Sequence, residues 1–87
     1  MLTNMSDSLI KAFGRSVREL RVSKSLSQER LAELAGIHRT YISSIELGKV
    51  RVGLEIAKKV ACGLGVNLSD LITAAETSRR SHAQRKH

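Results

Sequence analysis

The chain has 87 residues, enough for one small domain. Apolar residues make up 41% of it, which supports one modest core and excludes wholesale disorder. Lys and Arg number 15 against 8 Asp and Glu, a net charge of +7 that points to a polyanionic partner, usually nucleic acid.

That charge is unevenly placed. Residues 1–76 carry +3, and residues 77–87 add +4 through Arg79, Arg80, Arg85 and Lys86 with no acid among them. There is no Pro and no Trp, and the aromatics are Phe13 and Tyr41 alone. A chain rich in Leu, Ala, Glu, Lys and Arg, with no Pro to break it, predicts an all-α fold. The single Cys62 excludes an internal disulfide and fits a reducing, cytoplasmic setting. No apolar run reaches membrane-spanning length. The first five residues lack the basic start and apolar stretch of a secretory signal, so none is expected.

Taken in chain order, the apolar pattern predicts five short helices. Ile10, Phe13, Val17 and Leu20 recur at three- and four-residue steps and predict a first helix over about 8–23. Lys11, Arg15 and Arg18 fall on its other side. Ser27 then opens a second helix as its cap, with Glu29 at the positive end of the dipole. Leu31, Ala32, Leu34 and Ala35 supply its buried side, and Gly36 stops it after two turns. A third helix over about 39–46 buries Ile42 and Ile45. A loop over 47–53 carries Lys49 and Arg51. The fourth helix, about 54–63, turns Leu54, Ala57, Val60, Ala61 and Leu64 inward, with Gly63 and Gly65 marking its end. Asn67 caps a fifth helix bearing Leu68, Leu71 and Ile72, with Asp70 placed to complete a capping box. It is expected to fade near Ala75. A domain over 1–76 is therefore followed by a basic tail over 77–87, expected to be disordered.

The informative part is the helix pair over 28–46. Two short helices joined by a turn at Gly36 pack at a steep angle, with the small Ala32 where the axes come close. Ile42 and Ile45 pin the third helix from below. Its outer side then shows Arg39, Thr40, Ser43 and Ser44. A short helix fixed in this way, polar and basic outward, fits the major groove of DNA.

The spacing of Gln28, Ala32, Gly36, Ile42, Ile45, Glu46 and Gly48 resembles the helix-turn-helix of the phage-repressor and Cro-like (XRE-type) regulators. The likeness extends from about Phe13 to Ile72 and includes Leu20-Arg21, Leu26-Ser27-Gln28-Glu29 and Leu64-Gly65-Val66. The stretch from His38 to Ser43 is also similar to the recognition helix of restriction–modification controller proteins, a dimeric branch of that family. The resemblance implies a compact lambda-repressor-like fold and a transcriptional regulator. It would bind a near-palindromic operator as a homodimer, with RNA polymerase as a further partner where it activates.

The resemblance also distributes roles. Gln28 would bond a phosphate from the start of the positioning helix. Arg39, Thr40 and Ser44 would read bases, Tyr41 and Ser43 would touch the DNA backbone, and Lys49 and Arg51 would meet neighbouring phosphates. Arg21 and Glu46 would form an internal salt bridge. Leu68, Leu71 and Ile72, not all needed for so small a core, would form the dimer surface. Departures from the family pattern lie at His38, where a better cap is usual, at Leu47, at Val50-Arg51 and at Gly53.

Other readings are plainer. Tyr41 can serve core and phosphate together, because its ring is amphipathic. Cys62 has no activating neighbour and reads as packing or a surface thiol. His38, His82 and His87 lack ligand spacing, so no metal or other cofactor is expected. No carboxylate pair, phosphate loop or nucleophile–His arrangement suggests an enzyme. The competing class is a protein-interaction module of the same fold, an antitoxin or anti-repressor. The polar, basic outer face of the third helix favours DNA.

Overall fold

The computed structural model describes residues 3–84 and consists, among them, of five α-helices: α1 (Thr3–Ser23), α2 (Gln28–Ala35), α3 (Arg39–Glu46), α4 (Leu54–Leu64) and α5 (Leu68–Gln84). α1 packs most extensively on α5, α2 on α4, and α3 is held between α1 and α2. The apolar stripe of α1 supplies Phe13 and Val17 to the core, with Ala12 beside them. Leu31, Ile42, Ile45, Leu64 and Leu71 are fully buried and come from the other four helices. Burying each of these side chains contributes about 1.5–3 kcal/mol.

Local signals act where the sequence places them. Ser27 Oγ accepts from the Arg30 N–H at 2.9 Å and caps α2. Gly36 takes φ 73° just past that helix, and the Ile37 N–H reaches back to the Ala32 carbonyl at 3.1 Å. Ala32 is buried in the angle between the pair, 5% exposed.

Several expectations need correction. α1 begins at Thr3 rather than near residue 8, since no Pro or Gly interrupts residues 3–13. Gly63 lies inside α4 rather than at its end. A Cβ there would stand 3.1 Å from the Ala35 nitrogen, so this glycine lets α4 close on α2. Leu34 and Leu54, both read as inward, are exposed. Leu54 is the first residue of α4 and precedes the turns that pack.

Asp70 completes no backbone capping box: its carboxylate accepts from the Asn67 side-chain amide at a long 3.4 Å. α5 does not fade near Ala75 but continues to Gln84, through residues 77–84 of the tail expected to be disordered. Residues 77–84 hold no Gly or Pro and include the helix formers Arg, Ala and Gln. Residues 85–87 lie outside the described part.

Leu71 is likewise a core residue, 0% exposed, and therefore not part of a dimer surface. The fifth helix turns it inward together with Ala75, four residues on. Leu68 and Ile72 are only half-buried against the same core.

Candidate nucleic-acid interface

The site is built around α3, whose two sides differ. Ile42 and Ile45 are buried beneath it, while Arg39 and Thr40 in its first turn are exposed. Tyr41, Ser43 and Ser44 are half-buried. Ser43 and Ser44, expected on the outer face, thus sit on its flanks, and Tyr41 packs partly on the core.

The far end of α3 is tied down by a buried polar network. Arg21 Nε donates to Glu46 Oε2 at 2.6 Å, and the Arg21 Nη2 donates to Oε1 at 3.1 Å. The remaining Arg21 Nη1 donates to the Leu26 carbonyl at 2.8 Å. The side chains of Arg21 and Glu46 are only 12% and 4% exposed. A two-pronged Arg–carboxylate contact fixes both distance and plane. Here it joins α1, the loop before α2, and the last residue of α3.

Gln28 completes that network. Its Nε2 donates to Glu46 Oε1 at 3.0 Å, so the amide expected to face a phosphate is also anchored inward. An amide nitrogen carries two hydrogens, so one remains for an outside acceptor. The family resemblance pairs Glu46 with Arg21 but assigns Gln28 to a phosphate, so it does not reveal this second donor.

Gly14 is a second feature that periodicity does not reveal. A Cβ at that position would stand 2.2 Å from the Ile45 carbonyl oxygen and 2.9 Å from that of Glu46. Only a residue with no side chain lets α1 cross the end of α3 this closely. The signal available in the sequence was a Gly in the middle of a helix, where it costs about 1 kcal/mol relative to Ala and so implies a packing reason.

At the end of α3 the Gly48 N–H bonds the Ile45 carbonyl and the Lys49 N–H bonds the Ser44 carbonyl, both at 3.0 Å. Gly48 itself takes φ 70°. This closure fixes the direction in which the loop leaves, and Lys49 and Arg51 are both exposed on it. The side-chain stem of Lys11 covers Gly48 from α1.

The near end of α3 is held more lightly. His38 caps it: Nδ1 accepts from the Thr40 N–H at 3.3 Å. Among the described residues Arg39 has one partner, Glu29 of α2, whose Oε2 lies 3.8 Å from Arg39 Nε. No group of three His, Cys, Asp or Glu side chains among the described residues is arranged to hold a metal ion. No helix there is long and apolar enough to cross a membrane.

The comparisons agree with this geometry. A family profile described as helix-turn-helix matches residues 17–71, from the middle of α1 into α5. The chain is 45% identical over 69 residues to the control protein C.BamHI of Bacillus amyloliquefaciens, covering 78% of this chain and 85% of that one. It is 44% identical over 73 residues to the control protein C.MunI of a Mycoplasma species, covering 83% and 97%. Among solved structures, the restriction–modification controller protein C.AhdI of Aeromonas hydrophila superposes with a TM-score of 0.68 at 43% identity, covering 72% of this chain and 94% of that one. Helix order, the buried network behind α3 and these matches lead to one conclusion: the chain belongs to the helix-turn-helix family of the phage-repressor (XRE) type.

Proposed function

We propose that this protein is a sequence-specific DNA-binding transcriptional regulator of the restriction–modification controller kind, working as a homodimer on a near-palindromic operator. The observation that carries the reading is the contrast across α3: an exposed first turn bearing Arg39 and Thr40, on a helix whose opposite side and far end are immobilised. The relatives named control proteins support the controller assignment.

In this reading the first turn of α3 reaches base edges, because the N-terminal residues of a recognition helix enter the groove most deeply. Arg39 pairs with guanine O6 and N7, and Thr40 and Ser44 read adjacent positions. Tyr41 and Ser43, on the flanks of α3, meet the DNA backbone. Gln28 gives its free amide hydrogen to a phosphate, and Lys49 and Arg51 meet phosphates beside the groove. The dimer contact uses Leu68 and Ile72, which are half-buried in one protomer and gain cover from a second. Such a dimer sets its two recognition helices about one turn of DNA apart. It represses or activates according to occupancy, touching RNA polymerase when it activates, in the cytoplasm and without enzymatic activity.

Selection of binding sites from a random duplex pool, with the parent and with Arg39→Ala, tests the reading. The parent is expected to yield a two-fold-symmetric sequence. Arg39→Ala is expected to lose about 1–3 kcal/mol per half-site and to relax preference at one base pair. An unchanged preference with uniformly weaker binding demotes Arg39 to a phosphate contact. If the parent binds no duplex in a salt-dependent way, the DNA reading fails and the protein-interaction module remains.

A further inference from the structure

Arg39 does not stand alone on the DNA-facing surface. Glu29, the second residue of α2, brings its carboxylate to 3.8 Å from Arg39 Nε, across the turn between the helices. The two side chains are 77% and 53% exposed, and an exposed pair at this distance adds little to folding. The dipole of α2 accounts for an acid in its first turn. It does not account for that acid lying beside the arginine of the neighbouring helix. A carboxylate placed there repels phosphate, so it weakens binding to every duplex alike unless it does something else.

The edge of the guanidinium that Glu29 approaches suggests what that is. The fork of an arginine presents either its Nε side or its two terminal nitrogens. A partner at Nε leaves the terminal pair free, and a free pair of parallel donors matches guanine O6 and N7.

We propose that Glu29 is a specificity-determining residue. It holds Arg39 from the Nε side with the terminal nitrogens available to the base, and its charge opposes phosphate-only contacts by the same arginine. Discrimination then has an attractive part, Arg39 on guanine, and a repulsive part, Glu29 against a misplaced backbone. This inference rests on Arg39 being the base reader.

The test compares the parent with Glu29→Gln, Glu29→Asp, Arg39→Ala and the double variant Glu29→Gln/Arg39→Ala. Affinities are measured by fluorescence anisotropy at several salt concentrations. The duplexes are the selected operator, the operator with the Arg39-dependent base pair exchanged, and a random sequence. Glu29→Gln is expected to bind the random duplex about two- to fivefold tighter and to lose a similar factor in preference for the operator over the exchanged duplex. Its salt slope is expected to steepen by up to about one unit as Arg39 turns to phosphate. Glu29→Asp keeps the charge but loses reach, so preference falls without tighter random binding. In the Arg39→Ala background Glu29→Gln leaves preference unchanged. Equal tightening on all three duplexes by Glu29→Gln, with preference retained, overturns the proposal and leaves Glu29 a bulk charge. If Arg39→Ala itself leaves the parent's preference intact, the base-reader assignment fails first and takes this inference with it.

Discussion

The two ends of α3 are built on opposite principles. At Glu46 the helix is clamped: a carboxylate 4% exposed takes three hydrogen bonds from two other segments, and the backbone of α1 at Gly14 lies against the last carbonyls. At Arg39 the same helix is nearly free, with a 3.3 Å cap from His38 and one ion pair at 3.8 Å between exposed side chains. A recognition element needs both conditions. Its axis must be fixed before DNA arrives, so that little ordering entropy is lost on binding. In the proposed reading its base-reading side chains are held only lightly, so that bases are their best partners. In that reading α3 separates the two tasks by position, two turns apart.

Breaking the clamped end carries the largest effect. Glu46→Ala leaves the Arg21 guanidinium buried without its counter-charge and releases Gln28, and is expected to lower stability by about 3–5 kcal/mol. Arg21→Ala is expected to lose a similar amount, and the double variant less than the sum, in urea denaturation. Simple additivity in that cycle would sink the claim that the pair acts as one unit. Gly14→Ala comes next. Its methyl group would overlap main-chain oxygens of α3, which cannot rotate aside as a side chain can. The expected loss is about 1–3 kcal/mol, together with weaker binding to all duplexes because α3 must shift. Arg39→Ala, at the free end, is expected to leave the denaturation midpoint nearly unchanged, within about 0.5 kcal/mol, while changing DNA preference. An Arg39→Ala variant that unfolds as readily as Glu46→Ala would remove the distinction between the ends.

Much of this was legible in the sequence, for physical reasons that also mark where legibility stops. The bounds of α2 follow local chemistry: Ser27 must accept an N–H, and Gly36 takes the left-handed turn that side chains resist. The Arg21–Glu46 contact was placed through family resemblance, since nothing local joins residues 25 apart. The contacts that hold the end of α3 and lie beside its first turn were not legible. Gly14 against Ile45, Gln28 against Glu46 and Glu29 against Arg39 each cross between helices, and helical periodicity says which face is apolar but not which partner meets it. Leu71 failed for a related reason. Counting apolar residues on α5 could not decide which of Leu68, Leu71 and Ile72 point inward, because the packing of α5 on α1 sets that rotation. Continuation of α5 to Gln84 is not legible from apolar periodicity, because a helix can outlast its apolar stripe. Propensity alone continues a turn or two once a packed segment has nucleated it.

The smallest expected effect sharpens the comparison at its free end. α2 and α3 are both eight-residue helices, and both are entered through an extended residue: Ser27 at φ −77°, ψ 164° and His38 at φ −74°, ψ 143°. Their caps differ in quality. The Ser27 hydroxyl accepts from the N–H three residues on at 2.9 Å, whereas the His38 ring nitrogen accepts from the N–H two residues on at 3.3 Å. An imidazole that accepts at Nδ1 must be neutral with its proton on Nε2, and its single lone pair is harder to align than those of a hydroxyl. Since the backbone at 38 already suits a small polar cap, His38→Ser is expected to raise stability by about 0.5–1 kcal/mol in thermal or urea denaturation. Neither residue is charged in this state, so affinity for DNA should stay within about twofold. His38→Asp is expected to match or exceed that stability gain, because a carboxylate also favours the positive end of the helix. It would at the same time weaken binding to every duplex, since it sets a negative charge beside Arg39 and toward the phosphates. A stability gain from both variants, with an affinity loss from Asp alone, would show that the reading end can be tightened without disturbing recognition so long as its charge is preserved. If His38→Ser brings no gain, the light hold on the first turn does not come from its cap, and the looseness of that end belongs to the exposed side chains alone.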